Sequence, residues 1–142
     1  MNDSQDLSRF LDAHRHSYAS ALQEIRSGRK RTHWMWYIFP QLRGLGRSST
    51  AEYYGIQSLD EAAAFLAHPV LGANLREISG ALLALESDNP TEIFGWPDDL
   101  KLRSSMTLFA AAAPEDAVFR QVLRKYYGGR PDELTLSLLH LR

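Results

Sequence analysis

Trp34, Trp36, Arg43, Arg47, Ser48 and Ser49 fall within one short stretch, RTHWMWYIFPQLRGLGRSS, residues 31–49. Aromatic rings beside guanidinium groups and hydroxyls suit one chemistry. They take flat, anionic ligands such as nucleotides, by stacking and charge-assisted hydrogen bonds. The segment RGLGRSS adds two glycines, which let a backbone approach a ligand closely. It runs straight into a helix start, whose free N–H groups attract anions. It is not a G-x-x-x-x-G-K-[ST] phosphate loop. His33 lies beside Trp34, and a histidine can serve as acid, base or donor. Each feature also has a plainer reading. Dense aromatics build cores, a glycine–serine stretch builds a loop and a helix cap, and a histidine can simply fix a loop by a hydrogen bond.

A second group sits in KLRSSMTLF, residues 101–109. Lys101, Ser104 and Ser105 share one helix face at i, i+3 and i+4 and can line a polar pocket. Leu102, Met106 and Phe109 mark a different, core-facing side. In the plainer reading the serines permit close helix packing and Lys101 pairs with Asp98. A serine nucleophile lacks a neighbouring base, and the lysine precedes the serines, the reverse of S-x-x-K. The five histidines form no metal motif: His14 and His16 diverge on a helix, and there is no H-E-x-x-H. With no cysteine, disulfides and thiolate chemistry are excluded. The acidic pairs Asp98/Asp99 and Glu115/Asp116 each follow a proline at a helix start, where the dipole favours anions. No cofactor is implied.

These groups must be held by helices, because the hydrophobic spacing is helical almost throughout. Leu7, Phe10, Leu11, Tyr18, Ala21, Leu22 and Ile25 mark one buried face, capped by Asp3 or Ser4 and ended by Gly28. Pro40 stops a short helical turn near Phe39. Ser49 with Glu52, and Ser58 with Glu61, each read as a capping box. Pro69 opens a helix carrying Val70, Leu71, Leu75, Ile78, Leu82 and Leu85. Further helices follow Pro97, Pro114 and Pro131, and no period-2 run suggests a strand. The expectation is an all-α fold of about six to eight helices in one domain, residues 1–142. The formal net charge of −1 hides an asymmetry. Six basic and no acidic residues lie between Ile25 and Ala51, against nine acidic and one basic between Glu52 and Leu100. The balanced total argues against nucleic acid as a partner, while a local anion site stays open. The charged segments can also face each other or merely solvate their surfaces. The N-terminal residues do not read as a signal peptide, and no run is apolar enough to cross a membrane, so a cytoplasmic setting is expected.

Taken together, GRKRTHWMWYIFPQLRGLG, HPVLG, IFG and KLRSSMTLF resemble a bacterial family catalogued as domain of unknown function 1810. Its members are sometimes mislabelled calpastatin, a disordered repeat protein unlike this chain. The resemblance runs from about Asp6 to Leu139. It implies a mainly α-helical fold and no established activity. The chain departs from the family pattern at His14, where that pattern carries Gln after Ala. A shorter likeness, STAEYYGIQ and KLRSSM, is to the ADP-ribose-related NADAR family. It would imply Glu52 as a catalytic carboxylate, a role the capping box already makes unnecessary.

The sequence therefore assigns no reaction and does not set the oligomeric state. Its leading expectation is a pocket for a small anionic or nucleotide-like ligand, built from Trp34, Trp36, Arg43, Arg47, Ser48, Ser49, Lys101, Ser104 and Ser105. Any catalysis would fall to Glu52 or His33, with N-glycosidic hydrolysis of ADP-ribose derivatives as the reaction. The alternative is a non-catalytic interaction module that uses the basic 26–47 segment on protein or RNA. Ring exposure separates the two: a concave pocket holding Trp34 or Trp36 favours the ligand, and a flat basic face over buried tryptophans favours the module.

Overall fold

The apolar positions of the first segment wind into α1, Ser8–Arg26, which buries Phe10, His14, Ala21 and Ile25. A computed structural model describes residues 6–141. The caps expected at Asp3 and Ser4 lie outside the described residues. Within them, Asp6 Oδ1 accepts from Ser8 N at 3.0 Å. Gly28, at φ 87°, turns the chain out of the helix.

The aromatic block makes one turn of helix, α2 (Met35–Ile38), before Pro40. Next come α3 (Ser49–Tyr54) and α4 (Leu59–Ala67). Ser58 caps α4 as its sequence predicts, accepting from Glu61 N at 3.1 Å. In α3 the cap is Ser48, which accepts from Ala51 N at 3.0 Å. The cap thus falls one residue before Ser49, and with Ala51 rather than Glu52 at N3 the expected box does not form. Helix α5 (Leu71–Ala84) starts two residues after Pro69 rather than at it. His68 serves there instead, its Nδ1 accepting from Val70 N at 3.1 Å.

Four more helices complete the chain: α6 (Pro90–Phe94), α7 (Asp98–Ala112), α8 (Ala117–Tyr127) and α9 (Glu133–Leu138). Asn89 caps α6, whose first residue is a proline. Gly128 ends α8 in the left-handed conformation, and Gly129 N–H reaches back to Leu123 O at 3.0 Å. Nine helices are present among the described residues, one more than the upper expectation, because α2, α3, α6 and α9 are short. Among the described residues no strand forms, and Leu42 and Ile56 make an isolated parallel bridge.

The buried side chains join into one cluster, with Phe10, Trp34, Phe39, Phe65, Phe109 and Phe119 at its centre. Helix α7 runs through the middle, packed against α4, α6, α8 and α9. Being covered on several sides, it buries Ser104, Ser105 and Thr107 as well as Leu102, Met106 and Phe109. No helix among the described residues is long and apolar enough to cross a membrane.

Candidate functional site

The basic turn after α1 is organised by one carboxylate. Glu24 Oε1 accepts from Arg31 N at 2.7 Å, Thr32 N at 3.0 Å and Trp34 Nε1 at 2.9 Å. Its Oε2 accepts from the Thr32 hydroxyl at 2.7 Å. Burial by itself raises the Glu24 carboxyl, but these donors outweigh it and bring the pKa down to about 2. Trp34 is 1% exposed, packed between Phe39 and Phe94. It is a core residue with its one donor satisfied, not a stacking platform.

The cations around it divide into two sets. Lys30 Nζ lies 2.9 Å from Asp98 Oδ2 and 5.2 Å from the centre of the Trp34 ring. Arg26 reaches Glu77 at 3.8 Å. Arg43 spends its guanidinium on the Glu52 backbone carbonyl, at 3.2 and 2.9 Å. Arg29, Arg31 and Arg47 are exposed and make no ion pair among the described residues. The two charged segments therefore meet at two points, leaving three arginines facing solvent. Lys30 N donates to Ile93 O at 2.7 Å, which seats the turn against the α6–α7 corner. At that corner Trp96 is 76% exposed and Leu100 is 51% exposed.

The pocket expected around Trp36 is closed. Trp36 is half-buried with Lys101 Nζ 5.8 Å from its ring centre, and Lys101 is also 3.5 Å from Asp98. Trp36, Leu42, Gly46, Ala51 and Tyr54 leave a cavity of about 10 Å³, room for one water at most. Gly46 serves packing: a Cβ there would stand 2.6 Å from Ala51 Cβ. Arg47, Ser49 and Glu52 are exposed, and Ser48 is used as the cap. His33 is exposed, its carbonyl accepting from the Tyr37 hydroxyl at 3.4 Å. Ser104 donates to Leu100 O at 3.3 Å, and Ser105 Oγ is buried without a partner among the described residues. The carboxylates at the start of α7 also part company. Asp98 takes the two lysines, while buried Asp99 accepts from the Thr91 hydroxyl at 2.6 Å. Among the described residues no cluster of His, Asp and Glu could hold a metal ion.

One polar centre escaped the sequence reading. His14 is buried, with Nε2 2.9 Å from Tyr37 O and Nδ1 3.0 Å from Asn74 Nδ2. A carbonyl only accepts, so Nε2 carries the proton and Nδ1 accepts from the Asn74 amide. Both ring nitrogens are satisfied in the neutral form, and burial lowers the His14 pKa. The ring stacks on Tyr18 at 5.8 Å, and beside it lies an open groove of about 330 Å³. The signal was its spacing: His14 shares the face of Phe10, Ala21 and Ile25.

Comparison with known proteins places the chain. No curated protein matches it. A crystal structure of the conserved hypothetical protein Rv1873 from Mycobacterium tuberculosis superposes with a TM-score of 0.95. The two are 51% identical over 99% of this chain and 100% of that one. Residues 4–139 match the model of the family "Protein of unknown function (DUF1810)". With its all-helical fold among the described residues and this match over nearly its whole length, the chain belongs to the DUF1810 family.

Proposed function

We propose that the protein is a non-catalytic interaction module, and that its basic turn and the neighbouring Trp96 corner bind an acidic segment of a partner protein. One observation carries this reading: Glu24 gathers the backbone of the turn and the indole of Trp34 inward, leaving Arg29 and Arg31 exposed and without an ion pair among the described residues. The exposed Trp96 and Leu100 give the partner an apolar contact beside the charges. Buried aromatic and arginine anchors with a charged rim are the usual makings of a protein interface. The net charge of −1 favours an acidic protein over a nucleic acid, whose binding calls for a broader basic surface. A cytoplasmic setting suits a module without cysteine.

The test is fluorescence anisotropy with a labelled peptide rich in Glu and Asp and carrying one leucine, beside an oligouridylate of similar charge. The reading expects saturable peptide binding that weakens as salt rises, and about tenfold or greater loss in an Arg29→Glu/Arg31→Glu double variant. Tighter binding of the oligouridylate, or an unaffected double variant, would overturn it.

A further inference from the structure

Away from the basic turn, α7, α8 and the turn before α9 border a second groove, of about 410 Å³, lined by Arg103, Tyr127, Gly128 and Arg130. Its walls are fixed. Tyr127 turns its hydroxyl inward to donate to the Asp99 carbonyl, so the ring stands rigid. The half-buried Arg103 donates from Nε to Arg130 O at 3.0 Å, and its guanidinium carbon lies 5.8 Å from the centre of the Tyr127 ring. Arg130 is exposed and lines the same groove. Gly128 and Gly129, both at positive φ, make the turn without side chains.

The use of Arg103 stands apart from that of the half-buried Arg9 and the exposed Arg76. A guanidinium has five N–H donors. Arg9 spends its donors on Tyr53 O, Asp6 O, Gly55 O and the Glu61 carboxylate. Arg76 is held by Asp116 and Leu66 O. Arg103 uses Nε alone, and makes no ion pair among the described residues. A pre-oriented guanidinium with both Nη groups unspent matches two oxygens of one anion.

From this geometry we infer that the groove is a binding site for a phosphate monoester, with Arg103 gripping two phosphate oxygens and Arg130 supplying the second positive charge. Two guanidinium groups match a dianion; a carboxylate would leave one of them uncompensated. The groove is larger than a phosphate, so the organic part of the ester has room beside the Tyr127 ring. The site shares no residue with the basic turn and stands or falls separately from it.

Isothermal titration with inorganic phosphate, phenyl phosphate and benzoate tests this on the full chain. The expected result is saturable binding of phenyl phosphate, weaker binding of inorganic phosphate, and none of benzoate. Binding equal for inorganic phosphate and the ester would assign the site to the free anion and overturn the ester. Arg103→Lys keeps a charge but loses the fork, and is expected to weaken phenyl phosphate binding about tenfold or more. The exposed Arg130→Ala carries no folding risk and is expected to do the same. The Arg29→Glu/Arg31→Glu variant is expected to bind as the wild type does. Absence of saturable binding, or equal binding by all variants, would overturn the inference.

Discussion

Glu24 and Trp34 are joined by a 2.9 Å hydrogen bond from the indole Nε1–H to the carboxylate, across the turn that carries Arg29 and Arg31. That one bond draws the ring into the core and turns the basic residues outward. The same carboxylate holds the Arg31 and Thr32 backbone, so it anchors the turn from the α1 side, as Lys30 does at the α6–α7 corner.

Replacing Glu24 by Ala is expected to cost about 2–3 kcal/mol, because the Trp34 donor and two backbone donors lose their acceptor. The effect is pH-dependent. The folded-state pKa, about 2, lies below the ordinary 4.5. A carboxyl lowered on folding stabilises above its unfolded pKa and loses that contribution as pH falls from 4.5 towards 2. Urea unfolding of the wild type and Glu24→Gln should therefore converge across that window.

Trp34→Ala should cost about 3–5 kcal/mol, the loss expected for a large buried ring. The half-buried Trp36→Ala should cost clearly less. Denaturant midpoints of the two variants decide the matter, and near-wild-type stability of Trp34→Ala would contradict the buried anchor.

His14 offers a test of a neutral buried imidazole. Burial holds its pKa below the usual 6.5, with the Tyr37 bond acting in the opposite direction. A histidine lowered on folding stabilises above pH 6.5 and loses that contribution on acidification. His14→Gln can donate to Tyr37 O and accept from Asn74, so it should fold and lose less stability between pH 7 and 5 than the wild type. His14→Ala should be weaker at every pH, by about 1–3 kcal/mol for the orphaned Asn74 and Tyr37 groups. Thermal unfolding across that range reads both.

Gly72→Ala should destabilise by about 1–3 kcal/mol or more. A Cβ at this position would stand 2.0 Å from Leu66 O, a backbone atom at the α4–α5 junction. Here it is close packing, not backbone freedom, that demands glycine. A melting temperature equal to the wild type would contradict the close approach.

The helices were legible because their apolar residues recur at helical spacing, and Ser58 announced its own cap. The cap of α3 slipped by one because Ser48 and Ser49 are adjacent and only the entering backbone chooses between them. The site was less legible. Ser104 and Ser105 read as a polar face because Lys101 precedes them, and periodicity cannot show that α7 is covered on several sides. Trp34 offered both a core and a platform; Glu24, ten residues earlier, decided between them. The groove at Arg103 and Arg130 was invisible, since its residues come from α7, the end of α8 and the turn that follows it.

The most direct test of the basic face is an NMR titration of the ¹⁵N-labelled protein with the acidic peptide, using the three indole N–H signals as separate probes. The account predicts that the Trp96 indole and the amides of Arg29 to Arg31 and Leu100 shift together and saturate, while the Trp34 indole, held by Glu24, stays in place. Shifts centred on Arg103 and Arg130, or a moving Trp34 signal with Trp96 unchanged, would contradict it.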